Sequence, residues 1–369
     1  MPPKEILEAN TKEPFLRIVS IPETSDKRGI MLRILAVVAA LVAGSFFIAL
    51  LGHNPLVVYL AMLKGSFGTA MSFQGTAKIA IPLVICALGV SIAFKMRFWN
   101  IGGEGQMIIG AVAASYFALF HHDWPHFLLI PVMAVAGILA GGLYGLIPAF
   151  FKARYNTNET LLTLMANYIA LYVVQYLREG PWKDPTAKGF PQIARFANSA
   201  RLGMVGGIHI GWIIAVLLVP VIFIYLKYSK NGYEIAVVGE SEKTATYAGI
   251  NVRKVIMRTM FLSGAICGLA GMLQASGADR TLTDSVAGGI GFTAIIIAWL
   301  ANLNAPVILL VSLLFAVLEK GGGYIQSMFM ISSSAASVLE GIILFFVLGF
   351  EFFIRYRLVF RRKGVQPCK

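Results

Sequence analysis

Residues 126–150 read HFLLIPVMAVAGILAGGLYGLIPAF, twenty-five positions without one Lys, Arg, Asp or Glu. A helix that crosses the hydrocarbon core of a bilayer needs about 20 apolar residues. This stretch is long enough, and Gly137, Gly141 and Gly145 repeat at the four-residue spacing of close helix contacts. Nine further stretches read the same way, at about 30–52, 76–95, 100–120, 159–177, 208–227, 256–276, 287–303, 304–320 and 332–353. The eighth and ninth are parted only by a bend near Asn302 to Pro306, so nine spans is the principal alternative to ten. The expected fold is an all-α polytopic membrane protein.

Composition agrees. Of 369 residues 57% are hydrophobic and 13% charged, about half the usual charged share of a soluble domain. Mean hydropathy is +0.75. These values disfavour a soluble enzyme, a disordered chain and a typical nucleic-acid binder. The first span follows about 29 mostly polar residues, and its apolar run is too long for a signal peptide, so it reads as a retained anchor.

The net charge of +13 is informative through its distribution. With the N-terminus in the cytoplasm and ten alternating spans, 22 of the 31 Lys and Arg residues fall on the inner side, as the positive-inside rule requires. Both termini are therefore expected inside. The excess is a topological signal; nucleic-acid binding needs a basic face with aromatic stacking partners, and no segment supplies one. The expected organisation is a flexible cytoplasmic tail (1–29), a transmembrane domain (30–353) and a basic cytoplasmic tail (354–369). Residues 53–75 and 178–207 are longer outward loops; 228–255 is a long inward one.

The halves show a faint repeat. Gly102, Gly103, Gly105 and Ile109 fall opposite Gly288, Gly289, Gly291 and Ile295, at an offset of 186. In a glycine-rich chain chance competes with this reading. A true repeat would place five inverted spans in each half, a recurring transporter architecture.

The most distinctive segment is Phe98-Trp99-Asn100-Ile101-Gly102-Gly103-Glu104-Gly105-Gln106. Asn100 is suited to cap the third span and Glu104 to sit near its positive end. A charge in lipid costs roughly 2.5–3.5 kcal/mol, so Glu104 is expected to face protein, water or a partner. A capped, tightly packed helix start and a gate or pathway element are compatible readings. Asn158 and Glu159 open the fifth span similarly, and Asn167 lies further in, where its amide either bonds across helices or lines a polar pathway. Asn100, Glu104, Gln106, Asn158, Glu159 and Asn167 are the pathway candidates.

In the inward loop, Glu240, Ser241, Glu242, Lys243, Thr244, Ala245, Thr246, Tyr247 and Ala248 read as a short helix ended by Gly249. It is too polar to span and suited either to connect two spans or to meet a soluble partner. Glu319-Lys320-Gly321-Gly322-Gly323 is expected at an outward helix end, and Glu340 within the tenth span with a polar partner. Gly264 and Gly268 read as packing positions, as do Cys86 and Cys267. His121, His122, Asp123 and His126 cluster around Trp124, more in keeping with an interface than with a metal site. No GxxxxGK[ST], HExxH or GxSxG occurs, so the chain carries no ATP-binding P-loop of its own and neither protease nor hydrolase signature.

Asn100-Ile101-Gly102-Gly103-Glu104-Gly105-Gln106 resembles the N-I-G-x-E-G-Q signature of permease subunits of bacterial ABC importers, in the nucleoside and simple-sugar branch of the branched-chain amino acid and ribose permease superfamily. Asn158-Glu159-Thr160 with Leu164-Met165-Ala166-Asn167-Tyr168 is similar to that branch, as are Ala248-Gly249-Ile250-Asn251-Val252, Leu262-Ser263-Gly264 and Gly268-Leu269-Ala270-Gly271. Trp99 stands where the pattern has Phe. The resemblance spans most of 30–353 and implies a non-catalytic, multi-pass subunit of the bacterial inner membrane. It implies a second permease in a homo- or heterodimer, two cytoplasmic ATPases that consume the ATP, and an external solute-binding protein. It makes Glu240–Gly249 the expected coupling helix and alternating access the expected mechanism. An ion-coupled secondary transporter, with Glu104 or Glu340 as coupling group, is the main alternative; an intramembrane enzyme would need a catalytic set that is not evident.

Overall fold

The computed structural model describes residues 16–20 and 26–360. They fall into two units. In the smaller, strand β1 (Leu16–Ser20) pairs antiparallel with β4 (Tyr356–Phe360), and helix α1 (Asp26–Leu50) packs against α13 (Ser333–Arg355). The expected flexible tail therefore contains a paired strand, and α1 begins four residues before the predicted span. Residues 1–15, 21–25 and 361–369, and the Glu340 side chain, lie outside the described residues.

The larger unit, residues 61–328, holds every candidate site residue. Helix α2 (Pro55–Phe67) occupies what reads in sequence as an outward loop. Then come α3 (Ala70–Lys95), α4 (Gly103–Phe120), α5 (His126–Tyr155) and α6 (Glu159–Glu179). A segment with a short hairpin, β2 (Met204–Val205) and β3 (Ile208–His209), leads to α7 (Gly211–Tyr228). There follow α8 (Lys230–Glu240), α9 (Glu242–Tyr247), α10 (Val252–Leu273) with a π-helical end at Gln274–Asp279, α11 (Ile290–Leu300) and α12 (Ala305–Phe329).

Helices stand at all ten predicted positions, but they are not all equal as crossings. Among the described residues six are long and apolar enough to span: α3, α5, α6, α7, α10 with its π-helical end, and α12. The apolar part of α1 and α2 together count as a broken seventh. Helix α4 carries Glu104 and Gln106 in its first turn. The predicted eighth span is only eleven residues of helix, α11. At 1.5 Å per residue it rises about 16 Å, half the hydrocarbon thickness. Its start is set by Gly288 and Gly289, both with positive φ (51° and 87°), and its end by Asn302 and Leu303, also left-handed. Hydropathy does not register these breaks.

The core forms where backbones approach. Helices α4, α5 and α10 pack against one another. A Cβ on Gly268 would come within 2.2 Å of the Gly137 carbonyl oxygen, and one on Gly264 within 2.4 Å of that of Gly141. Both glycine series thus do what their spacing predicts. A Cβ on Gly271 would meet the Met107 carbonyl oxygen at 1.9 Å. Cys86 and Cys267 are buried packing residues; the Cys267 Sγ lies 4.0 Å from the Cys86 carbonyl oxygen. Glu319 to Gly323 do not end α12, which runs on to Phe329. Gly321 and Gly322 are buried inside it and Gly323 is exposed, so the first two glycines are packing positions and the run is not a terminus.

Candidate functional site

The site is organised by the seven-residue connector between α3 and α4. Helix α3 stops at Lys95; Arg97 takes a left-handed conformation (φ 57°), and tight turns bring the Asn100 N–H to the Phe98 carbonyl at 2.8 Å. Asn100 is fully buried. Its amide exchanges hydrogen bonds with that of Gln106: Asn100 Nδ2 donates to Gln106 Oε1 (3.2 Å) and Gln106 Nε2 donates to Asn100 Oδ1 (3.3 Å). Asn100 Nδ2 also donates to Ser263 Oγ on α10 (3.1 Å), and its Oδ1 accepts from Gly102 N (3.0 Å). Asn100 is thus no helix cap. Residue Gly102 holds that position, without a side-chain bond, and α4 starts three residues beyond Asn100.

Asn167 supports the connector from α6. Its Oδ1 accepts from Gly105 N at 2.8 Å and its Nδ2 donates to Ile101 O at 2.9 Å. Thr163, one turn earlier, accepts from Ile101 N at 3.2 Å. Such bonds are worth about 0.5–1.5 kcal/mol each net, but an orphaned buried partner costs roughly 1–3 kcal/mol.

Glu104 is 8% exposed. Its Oε1 accepts from Gly289 N (2.8 Å) and its Oε2 from Gly291 N (2.7 Å) at the start of α11. Among the described residues it has no ion pair. Its charge is balanced by two charge-assisted bonds and the positive end of α11. A Cβ on Gly291 would fall 2.2 Å from the Glu104 backbone nitrogen. The two glycine-rich stretches at offset 186 therefore meet, Glu104 joining them.

The structure splits the six pathway candidates. Asn100, Glu104, Gln106 and Asn167 form one buried polar cluster. Asn158 and Glu159 lie apart at the α5–α6 turn. Asn158 caps α6, accepting from Leu161 N at 3.2 Å, and Glu159 pairs with Lys152 at 3.0 Å. Glu159 and Lys152 border a cleft of about 240 Å³ whose other wall is Glu240, Ser241 and Glu242.

That wall belongs to the polar segment 228–255. Arg258 of α10 holds α8 through Glu234 (3.0 Å) and Asn231 (2.6 Å). The predicted helix from Glu240 to Ala248 is shorter. Glu240 ends α8; Ser241 is extended and caps α9 by accepting from Thr244 N at 3.2 Å. The helix ends before Ala248, with Gly249 at φ 77°. Only Ala245 is buried; Glu242, Lys243, Thr244, Thr246, Ala248 and Gly249 are exposed, and Tyr247 is 93% exposed. One small anchor thus presents a whole polar helix outward.

Sequence reasoning missed Thr163, Trp299 and Arg97. The rings of Trp99 and Trp299 stack with centroids 5.4 Å apart, and Phe94 lies 5.7 Å from Trp299. Arg97 reaches toward Glu240 at 3.9 Å. Nothing in their spacing brings these residues together.

A family profile described as "Branched-chain amino acid transport system / permease component" matches residues 72–348. The chain belongs to this permease family. It is 31% identical to the glucose ABC transporter permease protein TsgB13 of Haloferax volcanii over 90% of each chain. It is 29% identical to the guanosine ABC transporter permease protein NupP of Bacillus subtilis, over 86% of this chain and 92% of that one. The nucleoside ABC transporter permease protein NupB of Lactococcus lactis is also 29% identical, over 80% and 84%. As a permease component the chain is a non-catalytic, multi-pass membrane part of a transport system. The matched region includes the connector, the buried cluster, α8, α9 and α11.

Proposed function

We propose that this permease is the membrane subunit of an ABC importer for a nucleoside or simple sugar, driven by separate ATPases. The relatives' names supply the solute class: glucose for one, guanosine or nucleosides for two. The observation that carries the energy-coupling part is α9, an almost wholly exposed polar helix seated by Ala245 and joined through α8 to the connector. Such a helix suits a groove on a soluble ATPase. In this reading the α8–α9 side is cytoplasmic, both termini lie on that side, the chain crosses the bacterial inner membrane ten times, the short α11 with its non-helical flanks making the eighth crossing, and its halves form an inverted repeat. A second permease completes the pathway, and a loaded binding protein meets the outer segment between α6 and α7. ATP binding closes the two ATPases, moves α9 and shifts the pathway between outward-open and inward-open states; nucleotide does so by binding those states unequally. The ion-coupled alternative is disfavoured by Glu104, whose two oxygens are both committed to backbone N–H groups.

The test is Tyr247→Ala with Thr246→Ala in the assembled complex. These side chains face away from the permease, so membrane insertion is expected to persist while ATP-dependent uptake falls about tenfold or more, as loss of a central interface aromatic does. Unchanged uptake would overturn the coupling assignment.

A further inference from the structure

Helix α11 is by itself too short to cross the membrane, and it is held at both ends by one short segment. At its start, Gly289 N and Gly291 N donate to the Glu104 carboxylate. At its other end, Trp299 stacks on Trp99 and lies beside Phe94. Gly291 and Trp299 are eight helical steps, about 12 Å, apart, and their partners Glu104 and Trp99 are five positions apart in the chain. The connector and α11 therefore lie side by side, strapped at two points.

The same connector meets the α8–α9 segment. A Cβ on Gly239 would lie 2.4 Å from the Lys95 carbonyl oxygen and 3.2 Å from Met96 Cα, so α8 rests directly on the backbone where α3 ends and the connector begins. Arg97 approaches Glu240 from the same segment. One end of this assembly thus touches the element that carries α9, and the other ends in the buried interior at Glu104.

The long-range cap at α11 is chemically unusual. Helix starts are ordinarily capped by a neighbouring Ser, Thr, Asp or Asn. Here the cap is a charged carboxylate 185 residues away in sequence, buried without a cationic partner among the described residues. Removing it leaves one buried and one part-buried N–H group orphaned and cuts the only hydrogen-bonded strap between α4 and α11 among those described. Packed elements transmit displacement when their contacts allow only discrete arrangements.

We propose that Glu104 is a positioning residue for transport: it fastens α11 to the first turn of α4, directly after the α3–α4 connector, so that displacement of α8–α9 carries the start of α11 with it. This rests on the ABC-permease reading. It assigns Glu104 a mechanical role and no contact with solute. Trp99 and Trp299 form the second, weaker strap.

The experiment uses the permease assembled with its ATPase and partner subunits in proteoliposomes, with tritiated guanosine and glucose as probes. For Glu104→Ala the expected result is a fall in maximal uptake of about tenfold or more, with KM within about twofold and nucleotide hydrolysis retained. Glu104→Gln keeps one acceptor oxygen and should fall between wild type and Glu104→Ala. Gly291→Ala, which forces the strap open from the opposite side, should reproduce the split. A raised KM with maximal uptake preserved would overturn the proposal, because Glu104 would then be touching solute. Unchanged uptake in both Glu104 variants would overturn it too. So would loss of the assembled complex in Glu104→Gln as well as in Glu104→Ala, which would make the residue a folding element alone. Failure of the wild-type complex to take up either probe with ATP would instead count against the reading beneath it.

Discussion

Helices α3 and α7 are nearly equal in mean hydropathy over their apolar stretches, 2.2 and 2.1, yet 83% of one stretch is buried in the protein and 22% of the other. Hydropathy states that a segment leaves water; it does not state whether lipid or protein receives it. The difference lies in side-chain size and polar chemistry. Helix α3 buries Thr76 and Ser91 and brings Gly89 close to α10, where a Cβ would meet the Ser263 carbonyl oxygen at 2.9 Å. Helix α7 turns Val216, Leu217, Val221 and Ile224 outward. Lipid tails are as apolar as leucine, so close backbone approach and buried hydrogen bonds, and not burial from water, decide which helices form the core.

The contrast can be broken or sharpened by substitution. The largest effect is expected at Gly271 of α10, where any Cβ meets the Met107 carbonyl. Gly271→Leu should prevent recovery of folded permease from membranes, and normal recovery in a thermal-stability assay would contradict the close approach. Asn167→Leu should be intermediate. It strands Gly105 N and Ile101 O, for an expected loss of about 2–4 kcal/mol read from the denaturation midpoint in detergent. Leu217→Ala on the outward face of α7 should be smallest, within about 0.5 kcal/mol of wild type. A loss there as large as at Asn167 would mean that α7 is packed against protein, as a second permease would do.

The same physics explains what was legible in the sequence. Apolar runs and small-residue spacing are local signals, so helix positions and the Gly137, Gly141, Gly264 and Gly268 contacts were readable. The Asn158 cap was readable because its partner is three residues away, and Asn167 could be expected to bond across helices because an amide at that depth needs a partner. Asn100 was misread as a cap: the local pattern permits one, but Ser263 and Gln106 compete for its amide and win. Glu104 was recognisable as a group requiring a partner, but the partner is a pair of backbone N–H groups, which have no side-chain signature. The short α11, the helical α2 and the continuation of α12 beyond its glycines all depend on backbone geometry that hydropathy averages away. The start of α9 shifted because Ser241, not Glu240, takes the extended cap conformation.

The central claim is that solute crosses through this chain while a separate protein hydrolyses ATP. Uptake of tritiated guanosine and glucose into proteoliposomes tests it directly, comparing the permease alone under a proton or sodium gradient with the complete complex given ATP inside. The account predicts uptake of at least one probe only in the complete complex with hydrolysable ATP. Gradient-driven accumulation by the permease without any ATPase would contradict it.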